Sequence, residues 1–148
     1  MDSQENKANQ MLAKLYNIEE YEKLEISKEL DIPKLLKAKE YFQQQMVYYA
    51  ELAGRKKEES IVTELRYQQA RAYAKIKFME KGDSATKAET LATTDLVFST
   101  EKEKHAKVCG ELDYSKYMFK VCQERVNACQ QHISILSKEE QFNKFLKN

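Results

Sequence analysis

Catalysis and metal binding need convergent side chains, and on a helix convergence comes at spacings of three or four residues. His105 and Cys109 stand four apart, and Cys129 and His132 three apart. These two pairs are the candidates for a Cys/His metal centre, or for a thiol nucleophile with a base beside it. The competing interpretation is structural: His105, Cys122 and Cys129 share one apolar register, in which a thiol acts as a small hydrophobe. No Gly-rich or strand-to-helix turn is present to expose a nucleophile, so the packing role is preferred and no metal or cofactor is expected. The paired carboxylates Glu19-Glu20, Glu58-Glu59 and Glu139-Glu140 lie beside lysines, as on solvated helix faces. There is no ExxH pair, GxGxxG or GxxxxGK[ST], so di-iron, dinucleotide and P-loop chemistry lack their minimal ligands. The chain is expected not to be an enzyme.

Charge distribution says more than charge total. The 25 basic and 24 acidic side chains nearly cancel, yet residues 60–81 hold Arg66, Arg71, Lys75, Lys77 and Lys81 against Glu64 and Glu80 alone. The apolar pattern resumes at Ile61, Val62 and Leu65, and at 100° per residue the set Ile61, Leu65, Ala72, Ile76 and Met79 falls on one side of a helix while the cations spread over the other half. That pattern predicts an apolar core side and a basic side facing solvent. Ordinary solubilisation explains a basic side; so does a phosphate-binding surface, with Tyr67 and Tyr73 placed for base stacking and Arg55-Lys56-Lys57 extending the footprint upstream.

These residues must be positioned by helices. Only 3 Gly and 1 Pro occur in 148 residues, which leaves few tight turns and argues against a sandwich or barrel. Nine Tyr and six Phe supply too much apolar surface for a disordered chain. The expected fold class is all-α: a long helical hairpin (about 33–81 and 96–136) with short connecting and terminal helices. Residues 1–30, net −3, read as a marginal or mobile helical segment, and 31–148 as a single helical domain.

Asp31-Ile32-Pro33 is a helix start, since Asp caps free N–H groups and Pro is tolerated in the first turn. Leu35, Phe42 and Tyr49 follow in steps of seven, with Ala38, Met46 and Leu52 between them. Gly54 allows a kink or a break. Gly82-Asp83-Ser84 predicts a turn and a new cap, opening a short helix from Ala85 to about Thr93. The strongest periodicity comes last: Phe98, His105, Leu112, Phe119, Val126 and Ile133 recur every seven residues, joined by Val108, Cys122, Cys129 and Leu136. Ser137-Lys138-Glu139-Glu140 reads as a capping box for a tail helix edged by Phe142, Phe145 and Leu146. So long a stripe and so apolar a tail predict a homo-oligomer. No apolar run reaches the roughly 18 residues of a membrane span, residues 1–10 carry no signal-peptide core, and three Cys without a CxxC pair suit a reducing compartment. A cytoplasmic protein without a membrane partner is expected.

The order of elements resembles a known family. A long helix ends in the basic stretch Lys75-Ile76-Lys77-Phe78, a turn follows at Gly82-Asp83, then a Glu89-x-Leu91-x3-Asp95 segment and a long amphipathic helix. From about Tyr48 to Leu136 this pattern is similar to the UvsY family of phage recombination mediators. The resemblance implies an oligomeric, non-enzymatic protein that binds single-stranded DNA and helps a recombinase displace single-strand-binding protein, in the cytoplasm of the host cell. The family's basic-x-basic motif corresponds to Lys75 and Lys77. Arg66, Arg71 and Lys81 join them from the charge pattern. The alternative is a helical protein-interaction module without nucleic-acid binding, such as a virion component or an inhibitor of a host protein.

Overall fold

The computed structural model describes residues 31–148, so the expectation for residues 1–30 lies outside the described residues. Among the described residues there are three helices and no strand: α1 (Ile32–Glu80), α2 (Ala85–Ala92) and α3 (Leu96–Lys147). The all-α, hairpin-like fold class expected from the periodicity holds.

Each helix starts where a short polar side chain can replace a missing backbone partner. Asp31 Oδ1 accepts from the Lys34 N–H at 3.0 Å, and Ser84 Oγ accepts from the Lys87 N–H at 3.3 Å. Asp95 Oδ2 accepts from both the Val97 and Phe98 N–H groups at 3.1 Å. These contacts satisfy donors that the first turn leaves open. The end of α1 is set by Gly82, whose φ of 101° lies in the region that L side chains avoid. Its N–H donates to the Met79 carbonyl at 3.0 Å and the Asp83 N–H donates to the Phe78 carbonyl at 3.2 Å, the paired bonds of a Schellman stop.

Gly54 makes no break, and the boundary expected at Ser137 does not occur. α1 runs through Gly54, because one glycine costs a helix only about 1 kcal/mol against alanine. α3 likewise runs through Ser137 to Lys147, so the capping-box sequence opens no separate tail helix. Residues 133–147 hold neither Pro nor Gly, and without a breaker a capping sequence is simply continued as helix.

The described residues divide into two compact units, 31–47 with 120–148 and 48–119. In the first, antiparallel segments of α1 and α3 bury Leu35, Ala38 and Phe42 together with Cys122, Arg125 and Cys129. Arg125 lays its guanidinium over the Phe42 ring at 5.6 Å, a cation–π contact in a buried setting. Lys39 Nζ donates to Gln130 Oε1 at 2.6 Å on the rim. Burial pushes the thiols of Cys122 and Cys129 up, as suits core positions.

The second unit is built differently. Its α1 seam is small and polar: Ser60, Thr63, Ala70 and Ala74 are buried, and Tyr67 is half-buried. Facing it, α3 contributes Phe98, Val108, Leu112 and Ser115, and α2 buries Ala88 and Ala92. Tyr67 meets Phe98 edge-on at 6.1 Å between centroids, and Lys56 reaches Glu111 across the seam and Glu59 at 3.1 Å. Hydrogen bonds that the Lys56 ammonium donates to Glu111 and then to Glu59 hold it above its usual range, and the Glu111 contact holds that carboxyl below its own.

Candidate interaction and nucleic-acid surface

The polar seam overturns the expected placement of the apolar set. Ile61, Val62, Leu65, Ala72, Ile76 and Met79 are all exposed, with Ile61 at 50%, Leu65 at 55% and Ile76 at 52%. The reason is register. A continuous helix keeps the stripe set by Leu35, Phe42 and Tyr49, and steps of seven from there reach Lys56, Thr63 and Ala70, not the aliphatic residues. The larger side chains therefore stand on the opposite side of α1, as a row open to solvent.

The basic residues move with this correction, since the half of the helix opposite the apolar set is the seam and not a solvent side. Arg66 and Lys77 are exposed and make no ion pair among the described residues. Together with Tyr73 they fall within about 40° of one another around the helix axis, along one edge of the apolar row. Arg71 and Lys75 border the other edge; Arg71 Nη2 lies 3.6 Å from Glu89 Oε1 on α2, and Lys75 is half-buried. Lys81 follows the last residue of α1 and holds its ammonium 5.6 Å from the Phe78 ring. Five cations predicted as one surface are thus split between two edges and a turn.

The two tyrosines also separate. Tyr67 is occupied by Phe98 and by His105, whose ring lies 5.1 Å away, so it is not free for stacking. Tyr73 is 72% exposed. Upstream, Lys56 is drawn to Glu111 and Glu59, which leaves Arg55 and Lys57 of that basic run exposed. The usable combination is Arg66, Tyr73 and Lys77: two cations with an aromatic ring between them, beside an apolar row.

The Cys/His candidates lie apart from this surface. Cys129 is buried and His132 half-buried, while His105 and Cys109 are both half-buried in the second unit. Among the described residues no three His, Cys, Asp or Glu side chains come together as a metal site, and no helix is long and apolar enough to cross a membrane. Sequence reasoning missed the four buried polar seam residues, Ser60, Thr63, Ser115 and Arg125. Thr63 and Ser115 fall on the steps of seven, a signal hidden by their polarity, whereas Ser60 and Arg125 lie beside those steps and carried no such signal. The chain matches no protein-family model, no curated protein and no solved structure.

Proposed function

We propose that this chain is a self-associating, non-enzymatic helical protein that binds single-stranded DNA along the basic edge of α1. One observation carries the proposal: a row of large aliphatic side chains is exposed on α1 beside Arg66, Tyr73 and Lys77. Contiguous apolar surface of this kind is the usual mark of an association site.

A second copy of the chain suits the row because its spacing reads the same in both directions. Val62, Leu65, Gln69, Ala72, Ile76 and Met79 follow in alternating steps of three and four, symmetric about the midpoint of Gln69 and Ala72. An antiparallel copy related by a two-fold axis there sets Val62 against Met79, Leu65 against Ile76 and Gln69 against Ala72. In an antiparallel helix pair like edges meet, so Arg66, Tyr73 and Lys77 of both copies gather on one side. The cations then supply phosphate contacts and the tyrosines supply rings for unpaired bases. Assembly multiplies contacts that are few in one protomer.

The UvsY resemblance supports the same reading, with Lys77 in its basic-x-basic motif, and it alone supports a role in loading a recombinase against single-strand-binding protein. Three cysteines without a disulfide suit the reducing cytoplasm of a host cell. A second reading, an interaction module without nucleic-acid binding, is favoured by Glu80, which lies on the same edge as Arg66 and Lys77 and offsets their charge. Fluorescence anisotropy separates the two: a labelled oligothymidine should bind at low salt, and more tightly than a duplex of equal length. Self-association with no affinity for the oligothymidine would select the second reading.

A further inference from the structure

In the second unit, three groups from two helices form a chain of contacts that the proposed function does not use. Cys109 Sγ lies 3.4 Å from His105 Nε2, and the other ring nitrogen, Nδ1, lies 2.9 Å from Thr63 Oγ1. Thr63 is buried, and the Tyr67 ring stands 5.1 Å from the imidazole at 50° to it, limiting how the imidazole can turn.

The direction of each bond follows from counting protons. A threonine hydroxyl carries one hydrogen, and Thr63 Oγ1 already directs it at the carbonyls of Glu59 and Ser60, 3.0 and 3.1 Å away in its own helix. With the hydroxyl so engaged, the contact with His105 is completed by the tautomer in which Nδ1–H donates and Oγ1 accepts. That tautomer leaves the Nε2 lone pair facing the Cys109 thiol. A nucleophile, a base and a group that orients the base stand in the order used by activated thiols.

We infer that Cys109 is a nucleophilic thiol activated by His105, a modification site for hydrogen peroxide and other soft electrophiles. In the reaction with peroxide the Sγ proton passes to Nε2, and the thiolate sulfur attacks one peroxide oxygen. An S–O bond forms as the O–O bond breaks, the departing hydroxide takes the proton from the imidazolium, and the products are a sulfenic acid and one water. Sulfur is oxidised and peroxide reduced in a two-electron step that needs no further reactant. Cys122 and Cys129 do not compete, because they are almost completely enclosed and burial pushes their thiols up.

Site-resolved mass spectrometry of the full chain tests this, with iodoacetamide as the rate probe and dimedone as the trap for sulfenic acid after peroxide. Burial alone can only slow a thiol, so Cys109 in the native chain should alkylate faster at neutral pH than the same residue in denaturant. His105→Gln should lower the native Cys109 rate by at least about tenfold, a tenth of the roughly hundredfold at which a positioned base's contribution begins. Thr63→Val should lower it by less, and Thr63→Ser, which keeps the hydroxyl, should leave it within about twofold. Dimedone should mark Cys109 and not Cys122 or Cys129. A native rate below the denatured rate, or a His105→Gln protein as reactive as wild type, overturns the inference. The native-to-denatured comparison needs no variant, so it stands even where His105→Gln fails to fold.

Discussion

Placing a charge at two positions of the exposed row, Leu65→Lys with Ile76→Lys, should abolish self-association without unfolding the protomer. Full burial of a Val, Leu, Ile or Met side chain contributes about 1.5–3 kcal/mol, and the five large side chains of the row are already about half-buried. Each therefore has about 1 kcal/mol still to gain, or about 10 kcal/mol over two copies. Association costs at least about 4 kcal/mol in lost freedom, which leaves a dissociation constant in the tens of micromolar. The double substitution removes four aliphatic side chains from a symmetric pair, about 4 kcal/mol, and so weakens association by about a thousandfold. Neither residue touches the α1–α3 seam, so helical circular dichroism should be unchanged and the melting temperature at low concentration should move little. Sedimentation velocity from about 4 to about 400 µM, about a decade on either side of the expected constant, is the assay. A wild-type chain that stays at its protomer mass of 17.4 kDa throughout, or a variant that associates as well as wild type, would refute the reasoning.

Phe42→Ala should destabilise the chain by about 4 kcal/mol in a denaturant titration, because it empties a core position and removes the ring under the buried Arg125 guanidinium. Leu36→Ala, half-exposed on the same helix, should cost under about 1 kcal/mol; equal losses would mean the seam is misassigned. Cys122 and Cys129 keep their protons in the folded chain to higher pH than in the unfolded one, so the unfolded state binds fewer protons as pH rises. Stability should therefore be held below the ordinary thiol range and fall as pH climbs through it, from about 8.5 upward, and Cys122→Ala with Cys129→Ala should flatten that fall. An equally steep fall in the double variant would contradict the burial argument.

How far the sequence could be read follows from which signals are local. Helix starts at Asp31 and Ser84 and the stop at Gly82 depend on a few neighbouring residues, and all three stand where their types put them. The α3 stripe was legible because apolar residues occupy it over many turns, although it also encloses Ser115 and Arg125. The outer half of α1 was misread because hydrophobicity was taken to choose the buried side. There the register inherited from Leu35, Phe42 and Tyr49 decides, and it turns Ser60, Thr63 and Ala70 inward and Ile61, Leu65 and Ile76 outward. Counting steps of seven through Gly54 would have found this. The basic surface failed for the same reason, since its orientation was inferred from the aliphatic set. His105 and Cys109 could be paired from their spacing on one helix, but Thr63 lies 42 residues away in sequence and joins them only through the α1–α3 pairing.

The most direct test of single-stranded DNA binding on the α1 edge is the salt dependence of oligothymidine affinity for wild type and for Arg66→Ala with Lys77→Ala. Phosphate contacts release condensed counterions, so log affinity should fall linearly with log salt at about −0.7 per contact on a single strand. Removing two cations per protomer should weaken binding and flatten that slope, by about 1.4 for each protomer engaged, with helical content unchanged. A double variant that binds as tightly as wild type, with the same slope, would contradict the proposal.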